Sequence, residues 1–262
     1  MIPLHDSNPT HRRPVLTIGL IVANVLVFLF IQTLQVDAGG VGVRPDDGSL
    51  ESRQAVACEY GLVPAHLVEG GDPAAADGGD GRPATCLGVN QRQNRLLGLV
   101  TSQFLHGDWL HLIGNMLFLW VFGNNIEDRL GRLRFLPFYV TCGAAAAVAQ
   151  ALADPGSDIP LIGASGAIAG VLGAYLVLYP RVGVWTIVLP FFFLPFKIPA
   201  WLWLGIYFAL QFLFLGDMTT GVGGIAYWAH IGGFVAGALL VKPFLSGRPP
   251  PGRPSPAVGG GF

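Results

Sequence analysis

The chain has 262 residues, of which 52% are hydrophobic and only 12% are charged, and its formal net charge is −1. Soluble domains carry about 25% charged residues, so this composition leaves too little charge to cover a water-facing surface. The near-neutral charge also argues against a nucleic-acid-binding protein, which needs a basic face. We therefore expect a membrane domain that crosses the bilayer several times.

Six apolar segments are long enough to cross a membrane as helices, which takes roughly 20 residues. They are Val15–Leu34, Leu110–Ile126, Phe135–Leu152, Leu161–Tyr179, Ala200–Leu215 and Ile225–Leu245. A signal peptide competes for the first segment, but its apolar core is long for one and no clear cleavage site follows. A further apolar segment, Val184–Phe196, is interrupted by Pro190 and Pro195. We interpret it as re-entrant or interfacial, so the predicted fold is an all-α membrane protein with six spans.

Basic residues indicate the orientation of these spans, because short cytoplasmic loops are enriched in Lys and Arg. With the N-terminus inside, the cytoplasmic parts hold ten of the 15 basic residues and only three of the 16 acidic ones. Both termini are therefore predicted to be cytoplasmic. The resulting parts are an N-terminal segment 1–13, a six-helix domain 14–245 and a disordered cytoplasmic tail 246–262.

The predicted first outside loop, residues 36–109, is long and rich in Gly, Asp and Pro. It contains Cys58 and Cys86 on the side of the membrane where disulfides persist. The two cysteines could form a disulfide or remain unpaired thiols, and the sequence leaves both alternatives open. Cys142 lies within a span and is most simply a small packing residue.

Four polar side chains lie within the predicted spans, where strongly polar groups are costly. They are His111 and Asn115 in the second span, Ser165 in the fourth and His230 in the sixth. Each alone has an ordinary explanation, since Ser, Asn and His also link neighbouring helices. Even-numbered spans all begin on the outside, however, so all four residues fall at a similar depth near one membrane face. That convergence favours a single shared site.

The chemistry of these side chains fits attack on an amide bond. A serine hydroxyl needs a base within hydrogen-bond reach, and imidazole is the usual base. The oxyanion that forms needs preorganised donors. His111 and Asn115 are spaced i and i+4 and share a helix face, and Ser165 at a helix start offers its own backbone N–H.

Glycines explain how the two reacting residues would meet. Gly163 and Gly166 let the chain approach closely around the serine. The pairs Gly166 with Gly170 and Gly233 with Gly237 form small faces that allow close helix packing in lipid. Packing spans four and six through these faces would bring the serine and the histidine of the sixth span together.

At these residues the chain resembles the rhomboid family of intramembrane serine proteases. The resemblance covers roughly residues 14–245 and is carried by an ordered set of motifs. These are His106, His111-x-x-x-Asn115, Glu127-Asp-Arg129-Leu-Gly131, Gly163-x-Ser165-Gly166 and Ala229-His230-x-x-Gly233-x-x-x-Gly237.

The resemblance implies a rhomboid-like bundle that cuts transmembrane segments near the outer membrane face. Ser165 and His230 would form a catalytic dyad without a carboxylate. His111, Asn115 and the N–H of Ser165 would form the oxyanion hole, with Gly163, Gly166, His106 and Gly233 in support. Glu127 and Arg129 match a structural element outside the catalytic site.

The resemblance also implies moving parts and partners. The loop Gly216–Gly224 would cap the site, and the fifth span would gate the path of the substrate from the lipid. The implied partners are single-pass transmembrane protein substrates and the lipid bilayer, with no cofactor and no metal, in what we expect to be a bacterial inner membrane. Many relatives place an aromatic ring one turn after the serine, where this chain has Ala169, so what orients His230 is left open.

Three other functions compete with this interpretation. A catalytically inactive rhomboid-like protein that binds membrane clients would characteristically lack the serine or the histidine, and both are present. A metal-dependent intramembrane protease would need a His-Glu-x-x-His helix, which the sequence lacks. A transporter would use broken helices and polar groups near the bilayer midplane.

Overall fold

The computed structural model describes residues 1–33, 56–68, 86, 95–188, 192–213 and 226–247. The described chain is mostly helical, as its hydropathy predicts. Its helices are α1 (Val15–Val27), α2 (Pro64–Val68), α3 (Arg95–Thr101), α4 (Trp109–Phe118), α5 (Asn124–Leu130), α6 (Arg132–Ala153), α7 (Ser165–Leu178), α8 (Ala200–Leu213) and α9 (Tyr227–Leu245). A π-helical turn, Phe28–Thr33, extends α1, and another, Leu119–Gly123, joins α4 to α5.

Helices α1 and α4 to α9 fall within or overlap the predicted spans, with shifted ends, whereas α2 and α3 lie in the predicted loop 36–109. Three of the described helical segments are long and apolar enough to cross a membrane by length and composition, namely Val15–Gln32, α6 and α9. The apolar helices α7 and α8 are shorter. These features are those of an integral membrane protein, while six crossings and their orientation stay predictions.

The fold also contains a β-sheet, so the all-α expectation is wrong in this respect. Strands β1 (Ile2–Asp6), β2 (Gly183–Val188) and β3 (Phe192–Pro199) form an antiparallel sheet in the order β1-β2-β3. Most of the segment 184–196 thus lies in β2 and β3, while its interfacial or re-entrant position stays a prediction. Pro195 is compatible with this sheet because it lies in an edge strand, where a missing N–H is tolerated.

Helices α7 and α9 pack through the predicted glycine faces. A Cβ atom on Gly233 would overlap the carbonyl oxygen of Gly166, and one on Gly237 would overlap that of Gly170. Helix α6 completes this packing, because the side chain of Ala146 fills the space beside Gly166 and Gly233. Without side chains at these positions the helix backbones touch directly, which is the arrangement that small residues permit in lipid.

A polar network holds the start of α1 at the end of α5. The buried carboxylate of Glu127 accepts hydrogen bonds from the N–H groups of Leu16 and Thr17, at 3.0 and 2.7 Å, and from the Thr17 hydroxyl at 2.8 Å. The first N–H groups of a helix lack partners within the helix, and a negative charge there is favourable. Glu127 is thus a structural residue, as the resemblance implied.

The two ends of the described chain lie at one end of the bundle. Asp6 in β1 accepts hydrogen bonds from the Tyr175 hydroxyl and from the Asn125 side chain. The Arg134 guanidinium donates to the carbonyls of Phe244 and Ser246, at 2.9 and 3.0 Å. Residues 2–6 and 244–246 therefore lie at the same end of the bundle, opposite the start of α7, while the membrane side of the two termini stays a prediction. Of the predicted tail 246–262, residues 248–262 lie outside the described residues.

Candidate active site

Ser165 is the first residue of α7 and follows a sharp turn at Gly163. Gly163 has a φ of +124°, a conformation that glycine adopts readily and other residues rarely do. Its N–H donates to the carbonyl of Ser102 at 2.8 Å, which anchors the turn. The predicted fourth span therefore begins as a helix only at Ser165, whose N–H has no acceptor within the helix.

His111 faces the turn before Ser165. A Cβ atom on Gly163 would lie 2.8 Å from His111 Nε2 and 3.5 Å from Ser165 Oγ. The imidazole and the serine hydroxyl thus border the same small space, which is available because residue 163 has no side chain. Asp108 fixes the start of α4 by accepting a hydrogen bond from the His111 N–H at 2.8 Å.

The hydrogen bonds of the His111 ring indicate which nitrogen carries the proton. Its Nδ1 accepts from the Gly107 N–H at 3.4 Å. A neutral imidazole that accepts at Nδ1 carries its proton on Nε2 and donates from there. That N–H is directed toward the space shared with Ser165, which suits it to stabilise negative charge there.

Asn115 lies one helical turn after His111 on the same face of α4. It is buried, and among the described residues its Nδ2 has no hydrogen-bond partner. A buried amide donor without a partner is costly. The cost of leaving this amide unpaired is explained if it donates a hydrogen bond to a ligand or to a reacting atom.

The start of α9 brings His230 to the start of α7. A Cβ atom on Gly166 would lie 4.0 Å from the Ala229 carbonyl oxygen, so the residue before His230 is beside the residue after Ser165. The structure therefore brings together the helix starts that carry the predicted nucleophile and base. Ala169 is buried in α7, and its small side chain offers no ring to stack on the imidazole.

Gln150 is a site residue that the sequence analysis missed. Its Oε1 accepts from the Ala229 N–H at 3.3 Å and so fixes the first turn of α9 next to His230. The available indication was that Gln150 is the only amide or charged side chain in the predicted third span. It acts through backbone position, so it is a positioning residue.

His106 supports the site from behind His111. The two rings meet edge to face with centroids 5.1 Å apart. The Gln32 side chain donates to the carbonyl of His106 and accepts from the His106 N–H, both at 2.8 Å. Burial, with a smaller contribution from the neighbouring His111, lowers the pKa of His106 to about 3, so this ring is neutral at physiological pH.

The predicted outside loop contacts the segment that leads to Ser165. Leu62 and Leu161 exchange two backbone hydrogen bonds, with N···O distances of 3.1 and 2.7 Å. Cys58 and Cys86 are joined by a disulfide, while Cys142 is buried in α6 as a packing residue. The proposed cap, residues 216–224, lies outside the described residues.

Comparison with known proteins identifies related chains. Residues 93–247 match the family model described as "Rhomboid domain". "Rhomboid protein 1, mitochondrial" of Saccharomyces cerevisiae is 30% identical over 154 residues, covering 55% of this chain and 40% of the relative. "Rhomboid-like protease 5" of Toxoplasma gondii is 30% identical over 198 residues, covering 68% and 21%. "Rhomboid protease GluP" of Bacillus subtilis is 35% identical over 106 residues, covering 38% and 20%. The chain thus spans less than half the length of these relatives.

Proposed function

This chain belongs to the rhomboid family, and on that premise we propose that it is an intramembrane serine endopeptidase with Ser165 as nucleophile and His230 as general base. The observation that carries the proposal is the meeting of three helix starts, those of α4, α7 and α9, at one end of the bundle. Two of the related proteins are named as proteases. Ser165 would attack the carbonyl carbon of the substrate amide while His230 takes the hydroxyl proton and then passes it to the leaving amine.

The oxyanion hole would be formed by three donors on two helices. These are the Nε2–H of His111, the Nδ2–H of Asn115 and the backbone N–H of Ser165. The tautomer of His111 and the missing partner of Asn115 support this assignment, because both donors are available before substrate binds. Preorganised donors of this kind stabilise developing charge without reorganisation at the moment of reaction.

Substrates would be single-pass transmembrane proteins that enter from the lipid. Aromatic rings form the seam between α4 and α8, with Phe118 packed against Trp203 and Tyr207 at centroid distances of 5.6 and 5.4 Å. We take α8 to be the gate because opening this seam would expose the site sideways. The substrate helix must unwind locally, since intact helical backbone is already hydrogen-bonded.

The position in the cell follows the proposed topology, with both termini cytoplasmic and the site near the outer face. A bacterial inner membrane is our proposal. The relatives come from mitochondria as well as from a bacterium, so the family alone leaves this choice open.

The test is to incubate the purified protein in lipid vesicles with a serine-directed fluorophosphonate and to locate the adduct by mass spectrometry. We expect labelling at Ser165 that disappears in Ser165→Ala and in His230→Ala. A single-pass reporter in the same vesicles should be cut by the wild type alone. An unlabelled, inactive wild type that still binds the reporter would instead identify a catalytically inactive client-binding protein.

A further inference from the structure

A basic cleft lies at the opposite end of the bundle from Ser165. It has a volume of about 490 Å³ and is formed by the segment before α1 and by the turn between α5 and α6. Its lining includes four arginines, Arg12, Arg13, Arg132 and Arg134, and two carboxylates. The cleft thus carries a positive charge where the first and third predicted spans leave the membrane.

Both carboxylates of the cleft are already engaged by backbone donors. Glu127 holds the first N–H groups of α1. Asp128 accepts from the His11 N–H at 3.0 Å through Oδ2. Among the described residues, the one ion pair between these two carboxylates and the four arginines is long, at 4.0 Å from Arg132 Nε to Glu127 Oε1.

The four arginines differ in how many hydrogen-bond or ion-pair partners their guanidinium groups have. Arg134 is bound to the carbonyls that end α9. Arg132 makes two long contacts, 3.5 Å to the carbonyl of Arg13 and 4.0 Å to Glu127 Oε1. Within the part of the chain that the structure describes, the guanidinium groups of Arg12 and Arg13 have no hydrogen-bond or ion-pair partner. Two unpartnered guanidinium groups and one weakly held one border the same cleft, where an anion with several oxygens would satisfy them.

An exposed apolar surface borders the same cleft. Leu133 lines it with 95% of its surface exposed, and Leu136 on the next turn of α6 is 40% exposed. Large apolar side chains this exposed mark a surface that contacts lipid or a partner. Arginines beside leucines at the end of a membrane helix match an amphiphile whose charged group is attached to hydrocarbon.

We propose that this cleft binds an anionic phospholipid. The phosphate oxygens bind to Arg12, Arg13 and Arg132. An acyl chain packs against Leu133 and Leu136. Basic pockets between membrane helices on the cytoplasmic side commonly bind such headgroups. The lipid would join the segment before α1 to the start of α6 and add to the bond network around Glu127. This site is separate from the proposed proteolysis and stands whether or not Ser165 is catalytic.

The experiment compares lipid binding by the full chain and its variants. The purified protein is placed in phosphatidylcholine nanodiscs, and phosphatidylglycerol is titrated while bound lipid is counted by native mass spectrometry. Arg12→Gln/Arg13→Gln should weaken phosphatidylglycerol binding on the order of 30-fold, at about 1 kcal/mol for each arginine. The matched control, Arg181→Gln/Lys242→Gln, removes the same charge from exposed positions outside the cleft and should bind as the wild type does.

Further measurements distinguish a lipid from free phosphate. Leu133→Gln should weaken phosphatidylglycerol binding, and inorganic phosphate should affect lipid binding by this variant as it affects binding by the wild type. Inorganic phosphate alone should not displace the bound lipid. Equal losses in the two double variants would show general surface attraction and overturn the proposal. Full competition by inorganic phosphate would overturn the assignment to a lipid. Unfolding in phosphatidylcholine alone, which should be the same for all variants, confirms that each one folds.

Discussion

Gly237 lies where α9 crosses α7, and replacing it with alanine should separate the helices that carry Ser165 and His230. A Cβ atom there would lie 2.6 Å from the Cα atom of Gly170 and overlap the carbonyl oxygen of that residue. Carbon atoms in contact are about 3.5–4.0 Å apart, so the helices must move apart by about 1 Å. The obstacle is backbone, which cannot yield by a change of rotamer.

The effect should appear at the site although Gly237 takes no part in it. Gly237 lies seven positions after His230, which is about 10 Å along a helix. Misplacing reacting groups by about 1 Å can lower a rate about 100-fold. Overpacking costs roughly 1–3 kcal/mol, which is less than the stability of most folded domains. The Gly237→Ala variant should therefore stay folded and react slowly.

The assay measures the rate at which a fluorophosphonate labels Ser165 in vesicles, together with the unfolding midpoint of each variant. Gly19→Ala is the control, because a Cβ atom on Gly19 meets no atom within 4 Å. It should label at the wild-type rate. If Gly237→Ala is folded and also labels at the wild-type rate, then the glycine contact between α7 and α9 does not set the geometry of the proposed dyad.

Further tests address the donors, the fold and the metal expectation. Asn115→Ala should lower turnover by on the order of 10²–10³ with little change in substrate affinity, as one of the proposed oxyanion donors is lost; weaker binding at unchanged turnover would assign Asn115 to substrate docking. Glu127→Gln should lower the free energy of unfolding by about 2 kcal/mol in a denaturant titration, because hydrogen bonds to a charged group weaken. Because the pKa of His106 falls to about 3 on folding, from about 6.5 unfolded, its contribution to stability is complete above about pH 6.5. That contribution should be lost as the pH falls, at up to about 1.4 kcal/mol per unit, and His106→Gln should remove this slope from unfolding curves. Chelation should leave proteolysis unchanged, since the described residues contain no group of three or more metal-binding side chains, and loss of activity would contradict this.

The helices and the approach of the starts of α4, α7 and α9 to one another could be predicted because their determinants are local. Apolar length predicts spans, and glycines at i and i+4 predict where spans touch. His111 and Asn115 are spaced to share a face, which α4 confirms. Polar residues near the start of every second predicted span are expected at one end of the bundle, whatever the details of packing.

The sheet could not be predicted because its determinants lie far apart in the chain. Strand β1 pairs with β2 across most of the sequence, with Ile2 opposite Ile187, and neither segment shows its partner. The apolar content of residues 184–188 fits a strand and an interfacial segment equally well. Gln150 was missed for a related reason, since its role depends on an N–H of another helix. Contacts between distant segments are set by packing, which a single sequence does not display.

The disulfide between Cys58 and Cys86 gives the outside loop a testable role in holding the approach to Ser165. Residues 56–68 bind the segment before the nucleophile through the paired Leu62 and Leu161 and through a 3.0 Å bond from the Ala65 N–H to the Ser157 carbonyl. Cys58 and Cys86 are 28 residues apart, and closing a loop of that length restricts the unfolded chain by roughly 3.5 kcal/mol. Removing the bridge should free this contact and let the turn at Gly163 move.

We therefore expect Cys58→Ala/Cys86→Ala to unfold at a lower temperature and to label more slowly at Ser165. Reducing the wild-type protein with dithiothreitol should have the same effect. Cys142→Ala, which removes the other cysteine, is the control for loss of a thiol and should not respond to the reductant differently from the wild type. If mass spectrometry shows that the bridge is gone while Ser165 labels at an unchanged rate, the turn is held by its bond to Ser102 alone. The loop would then contribute to stability and not to the geometry of the nucleophile.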